Sequence, residues 1–149
     1  MQPVDVTDLM TNVAGASVHL LNLPSTSKNF FNLNDPDIES QWFVLRPHRL
    51  PRGINSIIFG TVYNPPQNDN DKLRAHLFHS IDSSLAAYPN SGIFVLGDFD
   101  HFVPGNLCSS FKLKTLVSLP TRGNNTLDQI YSSLSKYHFW RQTNQTAIY

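Results

Sequence analysis

SIIFGTVYNPPQNDNDKLRAHLFHSIDSSLAAYPNSGIFVLGDFD, residues 56–100, is the stretch on which the fold turns. Ser56 to Tyr63 is dense in β-branched and aromatic residues and reads as a strand. Asn64-Pro65-Pro66 closes it, since proline has no N–H to give to a ladder. Asn68 to Tyr88 reads as a helix: Leu73, Leu77, Phe78, Ile81, Leu85 and Tyr88 recur at steps of three and four and lay one apolar stripe along one face. Asn70 or Asp71 is expected to cap its start, and Pro89-Asn90-Ser91-Gly92 to end it. Ile93 to Leu96 is then a continuous apolar run, the pattern of a strand covered on both faces. Strand, helix and strand in that order predict a mixed α/β class.

Outward from this unit the signals weaken. Upstream, Gln41 to Leu45 (QWFVL) has the content of a buried strand, and Ala16 to Leu21 is apolar enough for another. Pro24 to Asp37 is rich in Ser, Asn, Asp and Pro and reads as loop. Arg46 to Asn55, with two prolines, a glycine and three arginines, reads as a connection. Downstream of Phe99 the chain looks irregular until a strand over Thr126 to Ser132. At 149 residues a single domain, 1–149, is expected, without internal repeats.

Composition narrows the function classes. Hydrophobic residues at 40% against 15% charged residues suit a packed core and exclude an intrinsically disordered chain. The formal net charge is zero, so attraction to nucleic acid would have to come from local patches. Cys108 is the only cysteine, which excludes an intramolecular disulfide and fits a reducing compartment. Met1 to Asp8 has two acids, no Lys or Arg and no apolar centre, unlike a secretory leader, and no apolar run is long enough to span a bilayer. An intracellular location, nuclear or cytoplasmic, and no membrane partner are the expectation. Two Asn-x-Thr triplets, at Asn124 and Asn144, are then chance matches to a glycosylation pattern.

Candidate chemistry gathers after the buried strand, at Gly97-Asp98-Phe99-Asp100. Ligands of open α/β sheets bind outside the carboxyl ends of strands. Asp98 and Asp100 are two apart, so a continued strand would point both to one side, where hard oxygen donors can hold a divalent cation or orient a water. The same tetrapeptide also reads as a simple turn. Tyr63 ends its strand before the prolines and could donate to a phosphate oxygen, or be a half-buried strand aromatic. Asp128, among apolar neighbours, needs a partner such as His or Arg if it is buried.

Taken in order, several blocks resemble the endonuclease/exonuclease/phosphatase superfamily, and most closely the endonuclease domain of non-LTR (LINE-like) retrotransposons. They are Glu39 to Val44, Leu50-Pro51-Arg52-Gly53, Ile57 to Pro66, Gly92 to Asp100, Phe111-Lys112-Leu113, Pro120-Thr121-Arg122-Gly123 and Asn125-Thr126-Leu127-Asp128, within residues 14–134. The resemblance implies a two-sheet β-sandwich flanked by helices, and hydrolysis of a DNA phosphodiester with Mg2+ or Mn2+. It places the phosphate-contacting tyrosine on Tyr63 and the water-orienting acid on Asp98. Asp100 falls on the family's asparagine, with Asp98 and Asp100 then the candidate metal ligands. Asp128 falls on the acid that orients a catalytic histidine.

Departures from the family pattern imply a partial domain, incomplete at both ends, with impaired catalysis. Glu39, the only glutamate, opens a later strand than the family's metal-binding Glu. Tyr137-His138-Phe139 stands where the family has Ser-Asp-His, leaving His138 or the loop residue His101 as weak substitutes. At position 100 a second anion replaces a neutral donor. Two other readings remain: an inactive interaction module, with Arg46, Arg49 and Arg52 as a phosphate-binding loop patch or merely a solvated face, and a small-molecule phosphoesterase of the same superfamily. A missing first strand would leave an unpaired sheet edge and favour self-association.

Overall fold

The computed structural model describes residues 27–29, 33, 35–47, 49–117, 120, 123 and 128–136. These form β1 (Ser27–Asn29), β2 (Glu39–Leu45), β3 (Ser56–Tyr63), α1 (Asn70–Ala87), β4 (Ser91–Asp98), α2 (Leu107–Ser110), β5 (Lys114–Thr115) and β6 (Asp128–Ser132). The strands make one sheet in the order β1-β2-β3-β4-β6-β5. Among the described strands only β3 and β4 run parallel, and α1 is the crossover that parallel neighbours require. The mixed α/β class is therefore as expected, and the second sheet of the anticipated sandwich is not among the described residues.

Period-two alternation divides the side chains between the two faces. Trp42, Val44, Ile58, Val62, Ile93, Val95 and Tyr131 meet Leu73, Leu77 and Ile81 of α1 in one core. The intervening positions, Phe43, Leu45, Ile57, Phe59, Leu96 and Ile130, form a second buried cluster on the other face. There Phe43, Phe59 and Phe94, in register on three adjacent strands, stack with centroids 5.4 and 5.3 Å apart. Apolar burial on both faces accounts for the continuous hydrophobic runs of β3 and β4. Gly60 leaves room for the Trp42 indole, which a Cβ there would meet at 2.6 Å.

Several local expectations need correction. The cap of α1 is Asp69, in extended conformation, whose carboxylate accepts from the N–H groups of Asp71 and Lys72 at 2.9 and 3.3 Å. Asn70 is occupied elsewhere, with Oδ1 taken by Asn64. Within Pro24 to Asp37, read as loop, β1 pairs with β2 from Ser27↔Leu45 to Asn29↔Phe43. Its Ser-Lys-Asn sequence carries no strand pattern, and backbone pairing alone defines it. The tract after Phe99 holds α2 and β5. Ala16 to Leu21 lies outside the described residues. Among these residues the sheet edges are β1 and β5, three and two residues long, so the fold gives the expected edge-to-edge self-association no support. No helix among them is long and apolar enough to cross a membrane.

Candidate active site

Parallel pairing of β3 and β4 brings the two candidate turns to the same end of the sheet. Tyr63 and Asp98 are register partners at the carboxyl ends of their strands. The row continues outward on both sides, with Glu39 of β2 opposite Tyr63 and Asp128 of β6 opposite Asp98. Register partners share a face of the pleated sheet and stand roughly 5 Å apart. Alternation from Phe59, Leu96 and Ile130 assigns Tyr63, Asp98 and Asp128 to the face away from α1. One phenol and three carboxylates, Glu39, Asp98 and Asp128, thus share a face at one sheet end, with Tyr63 37% exposed.

Asp100 joins them by a route other than a continued strand. β4 stops at Asp98, and the carboxylate of Asp98 accepts the Asp100 N–H at 3.1 Å, closing an Asx turn. Asp100 sits at φ 41°, a left-handed conformation that Asn and Asp tolerate better than most residues. Its carboxylate lies 3.6 Å from the His101 imidazole, itself 82% exposed as a surface-loop histidine should be. Of the two readings of this tetrapeptide, the turn is the one observed, and it, rather than a continued strand, sets the relation of the two acids.

Phe99 anchors this turn from below. It is 1% exposed, edge-on to Tyr131 at 5.2 Å and tilted against Phe102 at 5.5 Å. Burial also pushes the Tyr131 phenol up to about 12, so it stays protonated under ordinary conditions. Gly97 supplies the close approach: at φ 155°, a Cβ there would lie 1.8 Å from the Val62 carbonyl oxygen. A bulkier residue would push β4 away from β3 just where Tyr63 and Asp98 meet.

Asn64 is the residue that sequence reasoning missed. Its N–H donates to the Asp98 carbonyl at 2.9 Å, and its Nδ2 donates to the Phe99 carbonyl and to Asn70 Oδ1, both at 3.2 Å. The side chain is 3% exposed, and Oδ1 is buried without a hydrogen-bond partner among the described residues. An unmet buried acceptor costs about 1–3 kcal/mol. The only signal in the sequence is a polar residue wedged between a strand-ending tyrosine and two prolines. Glu39 was also undervalued, since only the β2–β3 register reveals it beside Tyr63.

The remaining candidates separate from the site. Arg46 to Arg52 joins the end of β2 to the start of β3, at the opposite end of the sheet, with Arg46 over the Tyr88 ring at 5.5 Å. Its arginines therefore cannot share a ligand with Tyr63 and Asp98. His138 lies outside the described residues. Among the described residues no three His, Cys, Asp or Glu side chains gather as a metal-binding group. Asp98 and Asp100, linked by the Asx turn, are the two carboxylates that could hold a hydrated Mg2+ or Mn2+, which keeps several waters and needs only one or two carboxylates.

No family model matches this chain, and no curated protein matches it by sequence. Among solved structures it is similar to the endonuclease domain of TRAS1, a telomere-specific non-LTR retrotransposon, at a TM-score of 0.49 and 12% identity. That match covers 72% of this chain and 54% of the other, so the chain spans about half the length of the domain it resembles.

Proposed function

We propose that this chain is a metal-dependent phosphodiesterase domain of the retrotransposon-endonuclease type, acting on DNA with impaired catalysis. The observation that carries the reading is the register row in which Tyr63, Asp98 and Asp128 share one face at one end of the sheet. The Tyr63 hydroxyl would donate to a phosphate oxygen, and the Asp98 carboxylate would orient a water and accept its proton. Asp98 and Asp100 would hold a Mg2+ or Mn2+ ion, which supplies charge neutralisation at the phosphate when bound. Asp128 would orient a basic partner.

Impairment follows from Asp100. A neutral amide at that position would donate to the phosphate, whereas a carboxylate adds an anion beside an anionic substrate. Loss of such a donor costs about 1.5–3 kcal/mol of stabilisation. The basic loop at the far end of the sheet leaves no comparable support for a purely DNA-binding module. Supercoiled-plasmid nicking in Mg2+ tests the proposal. Slow nicking that disappears in Asp98→Ala is expected, and wild-type protein with no nicking above buffer, or nicking retained in that variant, would refute it.

A further inference from the structure

We propose that Asn64 is a positioning residue that holds the Tyr63 strand end, the Asp98–Asp100 turn and the start of α1 in one fixed arrangement. This inference rests on the phosphodiesterase reading for its purpose, though the clamp itself is visible in the geometry. One residue reaches three elements. Its backbone N–H extends the β3–β4 ladder by one bond to the Asp98 carbonyl, at 2.9 Å. Its side-chain amide then divides two donors between the Phe99 carbonyl and Asn70 Oδ1, each at 3.2 Å. Both acceptors face Nδ2, which fixes the orientation of the amide, because the flipped form would set oxygen against oxygen.

The neighbours make the clamp specific. Pro65 and Pro66 have no N–H and restrict the backbone, so Asn64 is the last residue of the strand end able to donate from its main chain. Phe99 is locked beneath by Tyr131 and Phe102, which makes its carbonyl a fixed point. Aspartate in place of Asn64 would lose both side-chain donors and bury a charge, while leucine would fill the space without bonding.

The test compares Asn64→Ala with Leu77→Val, a core change in α1 away from the turns, under conditions where both variants remain folded. Mn2+ is titrated into 15N-labelled protein, and paramagnetic broadening and amide shifts at Tyr63 and Asp98–Asp100 are followed. Asn64→Ala is expected to weaken Mn2+ binding about tenfold or more and to shift those amides, while Leu77→Val holds affinity within about twofold. Asn70→Ala, which removes one acceptor only, is expected to shift Phe99 in the same direction by less. If Asn64→Ala fails to fold, Asn70→Ala decides the question by the same signals. Unmoved amides at Asp98–Asp100, or equal weakening by Leu77→Val, would overturn the clamp. Absence of Mn2+ broadening in the wild-type chain would instead defeat the metal assignment, and the amide shifts would still judge Asn64.

Discussion

The two ends of the central β3–β4 pair handle polar groups in opposite ways. At the end where the strands begin, Ser56 and Ser91 hydroxyls bond at 2.5 Å, Ser91 also donates to the Tyr88 carbonyl, and the Asn55 N–H reaches the Asn90 carbonyl. At the end where the strands finish, Asn64 keeps a buried acceptor unpartnered among the described residues, Asp100 is left-handed, and Gly97 is pressed on the Val62 carbonyl. Each end carries one left-handed residue, Asn90 at φ 59° where the strands begin and Asp100 at φ 41° where they finish. What sets the finishing end apart is the close approach at Gly97 and the Asn64 acceptor, beside a phenol and several acids, and features of this kind collect where ligands bind.

The largest effect should come from breaking the close approach at the finishing end. Gly97→Ala puts a Cβ against a backbone carbonyl that cannot rotate aside, and a loss on the order of 3 kcal/mol or more is expected in urea denaturation. Retention of wild-type stability would mean that the close approach is not required. At the quiet end, Ser56→Ala removes one buried hydroxyl from a pair whose other member keeps its bond to Tyr88. A loss of about 0.5–1.5 kcal/mol is expected, with Mn2+ binding and nicking unchanged. A change in nicking from that substitution would erase the distinction between the ends.

The smallest effect concerns His76, on the α1 side of the sheet. Its imidazole Nε2 lies 2.8 Å from Ser40 Oγ and 3.5 Å from Ser80 Oγ. Burial lowers its pKa from 6.5, and His79 and Lys72 act in the same sense against the opposing pull of Asp35. The unfolded chain therefore binds the proton more readily. Stability should rise with pH through the interval between the lowered folded value and 6.5, and its contribution should be lost below that interval. Melting curves from pH 5 to 8 should show a rise that flattens in His76→Gln, and an equally steep rise in the variant would assign it to other groups.

Much of this contrast was legible in residues 56–100. A strand, an amphipathic helix and a second strand require a parallel crossover, and a parallel pair necessarily puts the YNPP and GDFD turns at one end. Less could be read where pairing overrides local pattern. Ser27-Lys28-Asn29 has nothing in it that announces a strand. Asn68 to Asp71 offers four consecutive residues able to cap a helix, and the choice of Asp69 depends on Asn70 being engaged by a residue six positions earlier. The role of Asn64 and the left-handed Asp100 depend likewise on contacts across the sheet end. The placement of Glu39 beside Tyr63 needed the antiparallel register.

A phosphate-hydrolysing sheet end held back by a second carboxylate is the central proposal. Plasmid nicking by Asp100→Asn in Mg2+ measures this directly. The substitution keeps size and tolerance of the left-handed turn, restores an amide donor and leaves a neutral oxygen to ligate the metal, so at saturating Mg2+ nicking should rise about tenfold or more over wild type. A well-folded Asp100→Asn protein that nicks no faster than wild type would contradict it.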